Sequence, residues 1–151
     1  MLKEKNLIIY PAKITDANIV AKLAIQMWAD NTVDGLTEEF KELISNDEAV
    51  VFLAKREENT VGFAQCQLRH DYVEGTDSSP VGYLEGIFVS ERYRGQGIAK
   101  KLLNACEEWA AEVGCVEFAS DCELTNFESL KFHMNVGFQE ANRIICFTKK
   151  L

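Results

Sequence analysis

An α/β fold of the α+β kind, with a central mixed β-sheet and helices on both of its faces, is predicted from three features of the sequence. Strands outnumber helices in the predicted order β-α-α-β-β-β-α-β-α-β. Units of β-α-β occupy the second half, and such units pack helices against a sheet. The 151 residues contain no internal repeat, low-complexity tract or linker. We therefore expect a single domain over residues 1–151.

The first half of the chain is predicted to contain one strand, two helices and a hairpin. In the first helix, Ile19, Leu23 and Met27 recur every four residues, which places them on one face. A turn at 57–60 joins the two apolar runs of the hairpin. In chain order the elements are a strand over Leu7–Tyr10, a helix that Thr15 caps and that ends at Trp28, a helix over Thr37–Ser45, and strands over Val50–Lys55 and Val61–Arg69.

The second half alternates strands and helices after a polar loop over Asp71–Pro80. Gly114 stands where a left-handed residue commonly ends a helix. The elements are a strand over Val81–Val89, a helix that Gly95-Gln96-Gly97 opens, a strand over Val116–Ser120, a helix over Asn126–Asn135 and a last strand over Arg143–Lys149.

Composition limits the classes of partner. The net charge of −8 and the pI of about 4.8 argue against nucleic acid, which usually requires a basic face. An acidic protein attracts polycationic small molecules, although acidity can also serve solubility alone. No apolar run approaches the roughly 20 residues that span a bilayer, and the N-terminus lacks the apolar core of a signal peptide. The five cysteines follow neither a disulfide nor a zinc spacing, so we expect a cytoplasmic protein without bound metal.

The strongest local signal is Arg92-Tyr93-Arg94-Gly95-Gln96-Gly97, which lies between a predicted strand and a predicted helix. Glycines allow the backbone to approach a bulky anion. The first N–H groups of a helix have no internal partner and, with the helix dipole, form an anion site. Arg92 and Arg94 add charge-assisted hydrogen bonds to phosphate oxygens. The segment predicts a site for a phosphate-bearing cofactor, and a glycine-rich turn with two solvated arginines is the alternative.

This segment has neither the G-x-G-x-x-G spacing of a dinucleotide-binding turn nor the Gly-Lys-Ser/Thr of a P-loop. It resembles the signature Gln/Arg-x-x-Gly-x-Gly/Ala of the GNAT acetyltransferases. The resemblance implies a GNAT-like fold and acetyl-CoA as cofactor, with the preceding strand along the pantetheine arm and residues 94–99 at the pyrophosphate. The cofactor-binding residues that it implies are Ile87, Phe88, Val89, Arg92, Arg94, Gly95, Gln96, Gly97, Ile98, Ala99, Asn126 and Ser129.

The resemblance extends over nearly the whole chain. Segments 71–76, 79–81, 83–89 and 118–121 are similar to those of the aminoglycoside 6′-N-acetyltransferases, as is a first helix that ends at Trp28. The resemblance implies acetyl transfer to the 6′-amine of an aminoglycoside. It also implies a homodimer, with the loop before the Glu85 strand or the last strand at the interface. The tyrosine often proposed to protonate the leaving thiolate in GNAT enzymes falls at His133 here, which leaves the general acid open.

Two carboxylates are the candidate catalytic groups. A protonated amine must lose its proton before it attacks, so the reaction requires a base, positioning and stabilisation of the developing oxyanion. Glu85 is an acid within an otherwise apolar strand, and Asp121 ends the next strand, where functional groups of β-α-β units gather. We expect both to face one cleft, bind ammonium groups and accept the proton. A salt-bridged or edge-strand carboxylate is the alternative for Glu85, and a helix N-cap for Asp121.

Further side chains are candidates for binding substrate or moving a proton. Trp28 and Tyr72 can stack on sugar rings, and Glu74 or Asp77 can bind additional ammonium groups. His133 can relay a proton. The alternatives are core packing for the tryptophan, solvation for the loop acids and a structural role for the histidine.

Three functions are compatible with these residues. The first is an aminoglycoside 6′-N-acetyltransferase, on the extended resemblance. The second is an acetyltransferase for another amine, such as a polyamine, an amino sugar or a protein N-terminus. The third is a non-catalytic acyl-CoA-binding or scaffold protein.

Overall fold

The computed structural model describes residues 6–151, so the first five residues of the predicted domain lie outside the described part of the chain. Within it, five strands form one sheet in the order β1-β2-β3-β4-β5. Neighbouring strands are antiparallel except β4 and β5, which are parallel, and the predicted mixed sheet is confirmed. The elements are β1 (Leu7–Pro11), α1 (Ala17–Ala24), α2 (Val33–Ile44), β2 (Ala49–Arg56), β3 (Asn59–Arg69), β4 (Val81–Val89), α3 (Ile98–Glu112), β5 (Phe118–Ser120) and α4 (Phe127–Asn135), with 3-10 turns over Ile14–Asp16 and Glu91–Tyr93.

Helices cover both faces of the sheet, as predicted. Along β2, Val51 and Leu53 pack in one apolar cluster with α1 and α2, whereas Val50 and Phe52 pack in another with α3. Successive strand residues point to opposite faces of a sheet. Therefore α1 and α2 lie on one face and α3 on the other. No helix in residues 6–151 is both long and apolar enough to cross a bilayer.

β4 carries a bulge at Glu85. Gln65 of β3 lies opposite Gly86, and the next residue of β3, Cys66, lies opposite Leu84. Glu85 is thus an extra residue in the register of the two strands. A bulge of this kind bends its strand and reverses which residues face each side of the sheet. The sequence gives no local signal for it, because the register depends on both strands together.

The sequence prediction was wrong about the first helix. Thr15 does not cap it but lies inside the 3-10 turn, and α1 ends at Ala24, before Trp28. Ile19 and Met27, placed on the buried face by their spacing, are exposed. Small side chains allow a helix to approach its neighbours closely, and they decide which face is buried here. The buried residues of α1 are Ala17, Val20, Ala21, Leu23 and Ala24.

The second helix begins at Val33, four residues before the predicted start at Thr37. The reason is an N-cap, because Thr32 Oγ1 accepts a hydrogen bond of 3.0 Å from the backbone N–H of Gly35. The glycine in the first turn hid this start in the sequence, because glycine is unfavourable inside helices.

The C-terminal part also differs from the prediction. The strand predicted over Val116–Ser120 is shortened to Phe118–Ser120. The predicted last strand over Arg143–Lys149 is not formed, and residues 139–151 are exposed and lie in no helix or strand. A strand requires a neighbour for its backbone groups, and within the described chain this segment does not pair with the sheet.

Substitution of the cap residue of α2 tests the observed start of this helix. We expect Thr32→Ala to lower the free energy of unfolding by about 1 kcal/mol, because the N–H of Gly35 loses its acceptor. Thr32→Ser, which keeps the hydroxyl, should retain most of that stability. Urea denaturation measures both. Equal losses in the two variants would contradict the cap.

Candidate functional site

The site lies where β4 and β5 separate. Their parallel pairing ends at Leu84 opposite Ser120. One residue later the bulge turns β4, so that a Cβ at Gly86 would lie 2.9 Å from the ring of Trp28 on the α1 side, whereas Leu84 packs on the α3 side. From 85 to 89, β4 continues along β3 without β5 beside it. This opening is called the strand fork below.

The glycine loop before α3 has the backbone that an anion site requires. Gly95 and Gly97 have φ angles of +76° and +78°, in the left-handed region that favours glycine. Apart from the adjacent residues of the chain, no heavy atom of the described residues lies within 4 Å of a Cβ built at either position, so the loop faces open space. The first helical bond here is donated by Lys101 to the carbonyl of Gly97. The amides of 98–100 therefore precede the helical ladder, as at an anion-binding helix end.

Two arginines flank this loop in different environments. Arg94 Nε donates a hydrogen bond of 2.8 Å to the carbonyl of Val89, which fixes Arg94 at the end of β4. Its guanidinium carbon lies 5.6 Å from the centre of the Phe88 ring. Arg92 is exposed, and its guanidinium carbon lies 5.7 Å from the centre of the Tyr93 ring. Of the two predicted phosphate ligands, Arg94 is thus the one held by a hydrogen bond to the sheet.

A cavity of about 250 Å³ opens beside the loop. Its walls combine backbone with open amides, cationic side chains and an apolar surface from α4 and the turn that follows it. This donor set suits a phosphate-bearing group attached to an apolar or amide-rich arm. The residues that line it are Val89, Tyr93, Arg94, Gly95, Gly97, Ile98, Ala99, Lys100, Phe132 and Val136.

The two predicted catalytic acids lie on one cluster of side chains at the strand fork, called the acidic cluster below. Tyr83 Oη donates a short hydrogen bond to Asp121 Oδ2. Glu85 accepts two hydrogen bonds of 2.8 Å, from Nε and Nη2 of Arg69. The guanidinium carbon of Arg69 lies 3.5 Å from the centre of the Tyr83 ring. Glu85 and Asp121 are thereby connected through an arginine and a tyrosine.

The protonation of this cluster follows from burial and from its hydrogen bonds. Burial, and then the hydrogen bond to Asp121, raise the pKa of Tyr83 well above its usual value. Its hydroxyl therefore remains a donor at neutral and alkaline pH. The hydrogen bonds that Arg69 donates to Glu85 raise the pKa of Arg69 further, so the guanidinium stays charged. The alternative for Glu85, a salt-bridged carboxylate, is present in the structure. The alternative for Asp121, a helix N-cap, is not the cap of α4, because the N-cap of that helix is Asn126.

His133 has a defined tautomer. Nδ1 lies 2.6 Å from the backbone carbonyl of Ser129, which can only accept, so Nδ1 carries the proton. Nε2 lies 2.7 Å from Ser120 Oγ, and in the neutral ring it accepts the hydroxyl proton. The rings of Phe132 and Phe138 pack around the imidazole, with centres 5.7 and 5.1 Å away. The histidine is thus coupled to the last residue of β5, at the strand fork.

Trp28 packs into the core while part of its surface stays exposed. Its ring centre lies 6.4 Å from that of Phe40 and 6.1 Å from that of Phe63. Trp28 therefore packs in the core, which was the alternative to stacking on a sugar ring. Its other edge meets Gly86, where a side chain would clash, so the tryptophan also forms a wall of the strand fork.

The loop over 71–80 brings the remaining candidates to the surface. Tyr72 is 81% exposed, and its hydroxyl donates a hydrogen bond of 3.0 Å to Glu74 Oε2. Between them, Val73 is buried against Tyr83, which attaches the loop to the acidic cluster. Asp77 is exposed, and its backbone N–H donates a hydrogen bond of 2.8 Å to Oε1 of Glu117, the residue before β5. The structure therefore joins Tyr72 and Glu74 by a hydrogen bond, and the charge of Asp77 also acts on the Tyr72 hydroxyl.

Asn126 and Ser129, expected at the cofactor, make a local bond. Asn126 Oδ1 accepts a hydrogen bond of 3.0 Å from the backbone N–H of Ser129 and caps α4. The cap fixes the start of the helix that carries His133. Both residues thus also have a role in positioning α4.

Sequence reasoning missed four residues of the site: Arg69, Tyr83, Ser120 and Lys100. Lys100 could have been found, since it follows the glycine loop within the first turn of the helix. Tyr83 lies two residues before Glu85 on the same strand, which is a weaker signal. Arg69 and Ser120 reach the site through the register of neighbouring strands. No local pattern reveals that register.

Comparison with known proteins assigns the family. Residues 20–138 match the Acetyltransferase (GNAT) family. The chain belongs to the GNAT family. This GNAT chain has a mixed sheet, a glycine loop before α3 and a separation of β4 from β5.

Similar GNAT proteins carry specific names. Aminoglycoside N(6′)-acetyltransferase type 1 of Stenotrophomonas maltophilia is 40% identical over 90% of this chain and 88% of that protein. The protein of the same name from Serratia marcescens is 37% identical over 89% of this chain and 94% of its own.

Solved structures of aminoglycoside N-acetyltransferase AAC(6′)-Iy are also similar. The complex with CoA superposes with a TM-score of 0.96 at 35% identity, over 100% of this chain and 99% of that one. The complex with the bisubstrate analogue CoA-S-monomethyl-acetylneamine superposes with a TM-score of 0.92 at 36% identity, over 97% and 99%.

A pair of glycine substitutions tests the anion site. We expect Gly97→Ala to weaken CoA binding at least about tenfold, because alanine disfavours the left-handed backbone by roughly 1–2 kcal/mol and relaxation would move the loop amides. Gly114→Ala is the matched control, since Gly114 has a φ of +99° and equally open space at the other end of α3. Calorimetry measures the affinity of each variant. Equal weakening in both would assign the effect to stability and contradict the assignment of the site.

Proposed function

We propose that this chain is an acetyl-CoA-dependent N-acetyltransferase that acts on the 6′-amine of aminoglycoside antibiotics, and so a resistance enzyme. The observation that carries the proposal is the acidic cluster, in which Glu85, Tyr83 and Asp121 lie at the strand fork. Aminoglycosides are polycations, and carboxylates bind ammonium groups. Relatives of that name at up to 40% identity support this substrate over a polyamine or a protein N-terminus.

The residues that would hold acetyl-CoA are those of the glycine loop and the free part of β4. The amides of 98–100, with Arg94 and Lys100, fit the pyrophosphate, and residues 87–89 fit the pantetheine arm. Arg92, Gln96, the α4 cap residue Asn126 and Ser129 in the first turn of α4 complete this set. Acetyl-CoA supplies the thioester whose acetyl group is transferred to the amine.

Asp121 is assigned as the group that accepts the proton of the substrate amine, directly or through water. It is exposed at the end of β5, and the protonated hydroxyl of Tyr83 holds its carboxylate in place. A base held in this way is oriented before substrate arrives. The carboxylate of Glu85 lies at the same fork, with both of its oxygens bound by Arg69.

Ser120 and His133 are assigned to proton movement on the other side of the strand fork. Ser120 Oγ donates to His133 Nε2, while Nδ1–H of the ring is held by the carbonyl of Ser129. The pair can therefore pass a proton between the strand fork and the imidazole without a change of ring orientation. This assignment replaces the tyrosine that the family resemblance would place at position 133.

The sugar rings of the substrate are assigned to the α1 side of the acidic cluster. The exposed part of Trp28 and the ring of Tyr72 provide stacking surfaces, and Glu74 and Asp77 supply additional carboxylates from the loop. The free thiols at Cys66, Cys106, Cys115, Cys122 and Cys146 support a reducing compartment, and we propose a cytoplasmic enzyme.

Asp121→Asn tests the proposed base. We expect kcat/KM for kanamycin to fall by about a hundredfold or more, because the amide cannot accept the proton. A thiol-release assay with acetyl-CoA measures the change. Glu58→Gln is the control, since Glu58 is a 97% exposed carboxylate in the turn between β2 and β3, and its variant should retain full activity.

The same assay with a panel of amines separates the functions. Thiol release with polyamines but with no aminoglycoside would replace the proposed substrate class. No release with any amine, despite tight CoA binding, would indicate a non-catalytic CoA-binding protein. Full activity of Asp121→Asn on kanamycin would overturn only the assigned base.

We also propose that the chain forms a homodimer through its C-terminal segment, residues 139–151. Asn142 Nδ2 donates a hydrogen bond of 2.9 Å to Glu74, and a Cβ at Gly75 would lie 2.5 Å from that of Ala141, so the start of the segment is held against the loop over 71–80. Beyond this point its apolar side chains are exposed: Ile144 by 65%, Ile145 by 80% and Phe147 by 89%. A second copy of the chain that covers these side chains would also supply the neighbouring strand with which residues 139–151 do not pair in the single chain.

Sedimentation tests the dimer. We expect a species of twice the chain mass of 17.0 kDa. Phe147→Glu should shift it toward the monomer, because a charge replaces an exposed apolar side chain of the proposed interface. Lys149→Glu, which changes the charge of the same segment without removing an apolar side chain, should leave it a dimer. A purely monomeric unmodified protein would refute the proposal.

A further inference from the structure

The acidic cluster already contains a cation. Nε and Nη2 of Arg69 each lie 2.8 Å from one oxygen of Glu85, so both carboxylate oxygens are engaged. The guanidinium also lies flat enough over Tyr83 for its carbon to be 3.5 Å from the ring centre. A planar cation with two parallel hydrogen bonds and an aromatic surface below it is well recognised. Arg69 therefore occupies the place beside Glu85 that an ammonium group of the substrate would take if the guanidinium were absent.

The side chains of Arg69 and Glu85 differ in how far they are exposed to solvent. The side chain of Arg69 is 39% exposed, whereas that of Glu85 is 17% exposed. Arg69 is therefore the more exposed partner of the pair, and its guanidinium occupies both oxygens of the less exposed carboxylate. Asp121, whose partner is the hydroxyl of Tyr83, is exposed and forms no ion pair within the described residues. An incoming amine thus reaches Asp121 directly but reaches Glu85 only where Arg69 gives way.

The fields of both acids converge on Arg69. Its pKa is raised first by the hydrogen bonds that it donates to Glu85 and also by the charge of Asp121. A second ammonium group placed near Asp121 would therefore compete with the guanidinium for the same negative potential. Because Arg69 is more than a third exposed and has a long flexible stem, water and salt screen its ion pair and allow exchange.

We propose that Arg69 is a specificity-determining residue, a resident cation that occupies the second ammonium position of the acidic cluster and must be displaced by substrates that carry more than one ammonium group there. The inference rests on the proposed function and deepens it. Asp121 receives the reacting amine, and Glu85 becomes available for a neighbouring ammonium group only when Arg69 turns away. Substrates with a single amine bind without displacing it.

Arg69→Met tests the inference, since methionine keeps an unbranched apolar stem and removes the charge that lies over Tyr83. We expect KM for tobramycin, a polyamine sugar, to fall about tenfold at low salt with kcat unchanged, because Glu85 is freed. KM for 6-amino-6-deoxyglucose, which has one amine, should not change. The gain for tobramycin should disappear in the double variant with Glu85→Gln, and it should shrink as salt is added.

Two further variants separate charge from geometry. Arg69→Lys, which keeps a cation beside Glu85, should retain a KM close to that of the unmodified enzyme. Lys41→Met is the matched control: it removes one positive charge from an exposed ion pair with Glu38 on α2, and KM for tobramycin should stay unchanged.

The opposite result has an equally clear meaning. If Arg69→Met raises KM for tobramycin or leaves it unchanged, the guanidinium holds Glu85 in place and is not a competitor of the substrate. Calorimetry of tobramycin binding in the presence of CoA gives the same comparison without turnover. Failure of the proposed function is distinguished by the unmodified enzyme, which would then acetylate neither probe.

Discussion

One extra residue in β4 determines where the functional groups of this protein lie. Because Glu85 has no counterpart in β3, Leu84 faces α3 while Gly86 faces Trp28. The strand turns at the point where its pairing with β5 ends. The edge of β4 over 85–89 is left without β5, and the bulge lies at the start of this free edge, two residues after the tyrosine that contacts Asp121. Without the bulge, β4 would remain evenly pleated and the fork would lose its shape.

Two kinds of electrostatic site are arranged around this fork. On the α3 side, backbone amides and cationic side chains at the start of α3 form an anion site, and Gly95 and Gly97 determine the path of its backbone. On the other side, carboxylates form a negative cluster in a chain whose net charge is −8. A phosphate-bearing acyl donor and a polycationic acceptor carry opposite charges, so each is attracted to its own side of the fork. The separation of sign explains how one small domain can position both partners of an acetyl transfer.

The features of this protein that the sequence predicts are those with local causes. The glycine loop was recognised because its chemistry lies within six consecutive residues, Arg92–Gly97. The order of strands and α-helices along the chain followed from periodicity and was correct up to α4. The contact between Arg69 and Glu85 could not be predicted, since it depends on the register of two strands and on a bulge in one of them. The first helix was misjudged because alanines, and not the larger apolar side chains, form its buried face. The last strand was predicted from apolar residues that remain exposed in the single chain.

The central claim is that the acidic cluster presents one particular amine of an aminoglycoside to the strand fork. The position of the acetyl group in the product tests this most directly. We expect the unmodified enzyme with acetyl-CoA and kanamycin to give a single product, and nuclear magnetic resonance should place the new amide on the 6′-nitrogen. Acetylation at another amine, or a mixture of positions, would show that the cluster does not orient the substrate as described and would contradict the account.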